Sequence, residues 1–303
     1  MSLGGGMFNR NASPHIANCK FDGNYAGDGG GIFNWDASPT LTDCTLSNNS
    51  AEWGGGMYNL RQAPVLNSCT FLSNHANKQG GGVFNDYSDQ SLANCLLTGN
   101  TSNEEGGGIY NTHAEPVLTG CVFAGNEASK GGGVHNIESS PLISNGTFSN
   151  NYAIEGGGIY NRFNSSPTLT DCAFLSNTGS ENGGGITNYQ SSPAINNVML
   201  SGNQAKDGGA MQNWDGSSPQ ITNCTFSLNT AVRGGGIQNH AGCSPTIQQC
   251  TFDENVADES GGAVFSYGGS PSFTDCIFSQ NSAADGGALF GTRLVPPIAP
   301  IDA

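Results

Sequence analysis

Three glycines followed by an aliphatic residue, an aromatic residue and an asparagine recur along this chain in strict phase, and that phase limits the fold more than any other feature. Gly29-Gly30-Gly31-Ile32-Phe33-Asn34 begins one copy; Ser38-Pro39-Thr40-Leu41 follows, then Cys44-Thr45-Leu46, then Asn49. A cysteine column runs Cys19, Cys44, Cys69, Cys95, Cys121, Gly146, Cys172, Val198, Cys224, Cys250 and Cys276, and every step is 25 or 26 residues. An asparagine column keeps the same phase: Asn24, Asn49, Asn74, Asn100, Asn126, Asn151, Asn177, Asn203, Asn229, Asn255 and Asn281. Drifting loops could not hold this register, so each repeat must stack on the one before.

Short alternating apolar runs such as Leu41, Cys44 and Leu46 read as strands, and the Gly, Ser-Pro and Asn between them read as turns. Helices are excluded by the glycine triplets and by a proline in nearly every repeat. One repeat cannot bury its apolar face alone, whereas stacked repeats share one core and pair every strand above and below. The expected fold is all-β: a right-handed, single-stranded parallel β-helix of about eleven 25–26-residue coils. At ~4.8 Å per strand that is a rod on the order of 50 Å long. Residues 4–291 form the repeat domain. The Pro-rich tail 292–303 is expected to cap the last coil, with Leu294, Val295, Ile298 and Ile301 folded over it. The first coil has no comparable cap, so end-to-end self-association is a second expectation.

The two recurring elements, GG(G/A)(I/V/L/M) and FxxN, resemble the repeats of chlamydial polymorphic outer membrane proteins and of wider β-helix proteins with a pectin-lyase-like fold. Gly261-Gly262-Ala263-Val264 with Phe252–Asn255, and Gly286-Gly287-Ala288-Leu289 with Phe278–Asn281, carry the resemblance most clearly. It spans about residues 4–291. It implies a secreted or surface-exposed protein, extracellular or outer-membrane-associated, of the adhesin or passenger type. The C-terminal membrane barrel of that family is not seen here. The chain also enters at a repeat motif without a signal peptide, so it reads as a piece of something longer.

The asparagine in every coil is expected to form an internal amide ladder, because an amide both donates to and accepts from its copy one coil away. A second column follows the glycines, from Asn9 and Asn34 to Asn239, and lapses at Ser266 and Gly291. Nine of the ten cysteines fall in the inward column. In-register stacking is expected to keep them as buried thiols rather than disulfides, and no CxxC pair suggests zinc. Cys243 lies outside the column, in a loop, and is the candidate for a reactive thiol.

The net charge of −15 comes from 24 acids against nine Lys and Arg, which argues against nucleic acid as a partner. No run of residues is apolar enough to cross a membrane as a helix. A glycosidase needs two carboxylates flanking one bond, but Asp43, Asp171 and Asp275 share a column in distant coils, as do Asp36 and Asp215. Arg10 and Arg162 share a column with no acid cluster beside them. No catalytic residue is assigned. No cofactor or metal is expected, and calcium has no repeat motif to hold it. A threonine column (Thr45, Thr70, Thr147, Thr225, Thr251) is too interrupted for an ice-binding array.

The informative surface feature is aromatic. Between the inward aliphatic residue and the inward asparagine stands a residue expected to face outward. It reads Phe8, Phe33, Tyr58, Phe84, Tyr110, His135 and Tyr160, then Thr187, Gln212, Gln238, Phe265 and Phe290. Trp35, Tyr189, Trp214 and Tyr267 lie beside it. An accessible strip at Phe33, Tyr58, Phe84, Tyr110, Tyr160, Trp35 and Trp214 is the expected ligand site, for a glycan or for a host or cell-surface protein. The expected function is thus a non-catalytic, adhesin-like β-helix. A polysaccharide lyase or glycoside hydrolase is the alternative, and a structural spacer the second.

Overall fold

A computed structural model describes residues 2–292. The tail expected to act as a cap lies outside them but for Thr292. The described residues contain strands, turns and bends and no helix. Each coil visits four faces in turn. In the second coil these are Ile32–Trp35 on the glycine face, Thr40–Thr42 on the proline face, Thr45–Ser47 on the cysteine face, and Ser50–Trp53 on the fourth. The glycine face is a 12-stranded sheet, the proline and cysteine faces are 11-stranded, and the fourth is broken into stretches of three and five strands. Single bridges continue the fourth face between those stretches. Every pairing is parallel and joins equivalent residues of successive coils, as Ile109↔Val134, Tyr110↔His135 and Asn111↔Asn136 do.

The core repeats with the coil. In one turn Ile109, Leu118, Cys121 and Phe123 are all fully buried, one or two from each of three faces. The fourth face adds small residues, among them Ala51, Ala76 and Ala153. Strand spacing dictates ring spacing: Phe123, Phe148 and Phe174 stack with centroids 4.6 Å apart and planes 2° apart.

Corners explain the polar columns. The residue before each cysteine sits in the left-handed region, as Asp43 (φ 51°), Asn94 (52°), Asp171 (53°) and Asn223 (54°) show. Asn, Asp and Gly tolerate that conformation best, so the Asp43, Asp171 and Asp275 column is a turn. The glycines answer a different demand. Gly29 has φ 62°, and a Cβ on Gly31 would lie 2.5 Å from the Gly56 carbonyl oxygen of the next coil.

Between the glycine and proline faces runs a buried serine column. Ser139, Ser165 and Ser191 each donate a backbone N–H to the next hydroxyl, at Ser165, Ser191 and Ser217 (3.0–3.1 Å). Cys243 occupies the next place, 26 residues after Ser217. The loop position of Cys243, between the strands Ile237–Asn239 and Thr246–Gln248, is as expected, but the reading of it as a reactive thiol is corrected. Its side chain is fully buried, and burial pushes the thiol pKa up. All ten cysteines are free thiols; Cys19, in the first coil, is exposed.

Candidate ligand-binding valley

The glycine face alternates strictly. Ile109 and Asn111 point into the core, so Tyr110 between them points out. Outward does not mean accessible here, and this is where the structure departs from the sequence. Phe33, Phe84, Tyr110 and Tyr160 keep only 2–7% of their surface exposed. Tyr58 and Trp35 are half-buried, and Trp214 alone of the seven is exposed, at 41%.

The cover has two sources. One is stacking within the column: Phe8–Phe33 at 5.4 Å, Tyr58–Phe84 at 4.6 Å, then His135 edge-on to Tyr110 at 5.1 Å and to Tyr160 at 5.0 Å. The other is the residue just before each glycine triplet. Trp53, Gln79, Glu105, Lys130 and Glu155 form one in-register column. The left-handed first glycine turns the chain so that this column stands over the edge of the rings. Lys130 Nζ lies 5.5 Å from the Tyr160 ring centre, and Glu105 comes within 3.6 Å of His135 Nδ1.

The result is a valley along the rod. Its floor is the aromatic column. One wall is the column of Glu105, Lys130 and Glu155; the other is the strand-end column of Ile137, Arg162, Tyr189 and Trp214. The valley opens into a depression of about 220 Å³ lined by Lys130, Glu155, Tyr160, Arg162, Tyr189 and Trp214. Trp214 is held by stacking on His240, 4.3 Å away and 5° from parallel. Arg162 lies over Phe163 (4.2 Å) and Tyr189 (5.8 Å), with its Nε buried and unpartnered. Burial first, and Glu155 next, hold the Tyr160 hydroxyl above its ordinary pKa, so it stays a neutral donor. His135 is neutral as well, because its complete burial, with Lys130 and Arg162 nearby, drives its pKa far down. Its approach to Glu105 is therefore not an ion pair.

Of the expected ligand residues, only Tyr160 and Trp214 meet in this depression. Trp35, under the Arg10 guanidinium at 4.6 Å, lies seven coils from Trp214. Phe33, Tyr58, Phe84 and Tyr110 form the floor further along. Arg162 shares the hollow with a single carboxylate, Glu155, and with Lys130. A larger hollow of about 390 Å³ runs along the proline–cysteine corner past Asn145, Asp171, Asn197 and Asn223. It holds no aromatic residue, and the Asn197 amide already occupies its one carboxylate. Among the described residues no group of three His, Cys, Asp or Glu is placed to hold a metal, and no helix could cross a membrane.

Comparison with known proteins agrees with this architecture. Residues 180–293 match the family model of a right handed beta helix region. Residues 68–86 and 94–112 match the Chlamydia polymorphic membrane protein repeat. No curated protein matches the chain. Among solved structures, a hyper-glycosylated fragment of TibA, glycosylated by TibC, aligns over 94% of this chain and 99% of its own at 14% identity, with a TM-score of 0.23. QnrB1, a plasmid-mediated fluoroquinolone resistance protein, aligns over 90% and 91% at 11% identity, with a TM-score of 0.22. Neither likeness bears on what this rod does. The chain is a right-handed parallel β-helix carrying polymorphic membrane protein repeats of the chlamydial type.

Proposed function

We propose that this protein is a rigid rod displayed at the cell surface or outer membrane, non-catalytic, which binds a glycan in the valley of its glycine face. The polymorphic membrane protein repeats support the location. The repeat domain, 4–291, acts as the presenting scaffold. One observation carries the binding reading. Trp214 and Tyr189 stand in register on one wall, beside Arg162 and across from Lys130 and Glu155. A sugar ring offers an apolar C–H face to an aromatic ring and hydroxyls to charged groups, and few other ligands offer both.

The test is the purified chain against a broad glycan panel, read for binding and for release of reducing ends. Binding without release is expected, weakened about tenfold or more, or ~1.4 kcal/mol, by Trp214→Ala. Tyr87→Ala, an exposed ring stacked on His113 outside the valley, should change nothing. Release of reducing ends would revive the polysaccharide-enzyme alternative, and failure of every glycan would sink the glycan reading.

A further inference from the structure

The glycan reading leaves the chemistry of the sugar open, and the cations of the valley narrow it. The chain has nine Lys and Arg against 24 acids, so a cation without a carboxylate partner is unexpected. Among the described residues Lys20, Arg61, Lys206 and Arg233 each reach a carboxylate within 4 Å. Arg10, Lys78, Lys130 and Arg162 do not. All four lie instead against rings of the glycine face or its margin: Trp35, Trp53, Tyr160, and the Phe163–Tyr189 pair. Two of the four, Lys130 and Arg162, line the depression beside Trp214.

A ring contact does not satisfy these groups. It uses the face of the guanidinium and leaves the in-plane N–H donors open. No side-chain hydrogen bond from Arg162 or Lys130 is formed among the described residues, and Arg162 Nε is shielded from water with no acceptor. A carboxylate or sulfate is the acceptor that an arginine fork fits best. The lining carries two positive charges and one negative, Glu155. Glu155 suits the hydroxyls of the same sugar, to which it is a strong acceptor.

We propose that the sugar bound at Tyr189 and Trp214 is anionic, a uronic acid or a sulfated sugar, with its charged group on Arg162 and Lys130 and its ring face on Trp214. This rests on the glycan reading above. An acidic peptide shares the charge but not the C–H face, so the aromatic wall favours the sugar.

The experiment titrates the full chain with three oligosaccharides of one backbone: a hexuronate oligomer, its carboxyl-reduced neutral form, and a sulfated form. Polyglutamate is a fourth ligand. The expected result is at least tenfold tighter binding of one or both anionic forms than of the neutral one. The Lys130→Gln/Arg162→Gln pair should erase that preference and keep the weaker neutral binding. Arg162→Lys should retain part of it, and Trp214→Ala should weaken every sugar. The melting temperature of each variant shows that the coil is intact. Preference for the uronate or for the sulfate identifies the source of the charge. Equal binding of neutral and anionic forms would overturn the inference and leave the glycan reading standing. Binding of polyglutamate as tight as that of the anionic sugars, or a preference that survives Lys130→Gln/Arg162→Gln, would overturn it as well. Absence of binding by all three sugars would overturn the inference, whereas the glycan reading falls only if every glycan of the broad panel fails.

Discussion

Asn100 gives both its backbone N–H and one amide N–H to a single atom, Oδ1 of Asn126, each at 3.0 Å. Asn126 in turn donates to the Leu97 carbonyl oxygen at 2.9 Å and to Asn151 Oδ1 at 3.0 Å. All four hydrogen-bonding valences of the side chain are thus filled in a dry core. The same ladder runs from Asn24 to Asn281, with amide-to-amide steps of 2.8–3.0 Å.

The second ladder, from Asn9 to Asn239, has amide-to-amide steps of 2.7–2.9 Å but binds less of the backbone. Asn136 accepts from Asn111 and donates to Asn161, and makes no further side-chain bond. Asn126→Ala should therefore cost more than Asn136→Ala. Each buried group left unpaired costs about 1–3 kcal/mol, and Asn126 leaves more of them. Denaturant unfolding of the two variants measures the order, and equal losses would show that backbone capture by the first ladder adds nothing.

The glycine triplets make a positional prediction. At the second position every copy is glycine, and a Cβ on Gly132 would lie 2.6 Å from the Gly157 carbonyl oxygen and closer still to that of Tyr152. At the third position a Cβ also crowds a carbonyl, that of Gly158 in the case of Gly133, yet Ala210, Ala263 and Ala288 stand there in other coils. The backbone can evidently shift for one such contact and not for two. Gly133→Ala should cost about 1 kcal/mol and Gly132→Ala about 3 or more, read as the difference in melting temperature.

That contrast shows what the sequence could and could not reveal. The period, the number of coils, the inward Ile, Leu, Cys and Phe columns and the pairing register all follow from phase, because a parallel stack places each residue on its copy one coil away. Which columns face each other across a corner does not follow from phase. Lys130 and Glu155 stand in a column as regular as any other, directly before the glycines. Seeing that it overhangs Tyr160 requires knowing how far a left-handed glycine turns the chain. The burial of Phe33, Phe84 and Tyr110 and the charged hollow around Arg162 are not legible in the sequence for that reason.

Burial of His135 predicts acid sensitivity. Its imidazole is fully enclosed, neither ring nitrogen has a hydrogen-bond partner, and its pKa is depressed in the folded chain. In the unfolded chain the ring takes a proton near pH 6.5. Below that pH the unfolded state binds a proton that the folded state refuses, so stability falls as pH drops, by up to about 2 kcal/mol at pH 5. His135→Phe keeps the edge contacts to Tyr110 and Tyr160 and puts in place the residue found at Phe84 and Phe265 in the same column. The variant should be as stable as the parent or more so at pH 7, and should lose less stability between pH 7 and pH 5. Parallel stability–pH curves for the two proteins would show that His135 titrates normally in the fold.

The cysteines supply the last test, because burial alone should rank them. Cys19 is exposed and Cys276 partly so, whereas Cys69, Cys121 and Cys243 are fully buried. Burial raises the pKa of Cys243, which removes the thiolate that a maleimide or disulfide reagent attacks. The folded chain should therefore label first at Cys19 and more slowly at Cys276, and the other eight should react only once denaturant opens the coils. Cys19→Ser should abolish the fast phase. Rapid labelling of Cys243 in the native chain would mean that the serine corner opens at that coil, and would return Cys243 to the role of a reactive thiol.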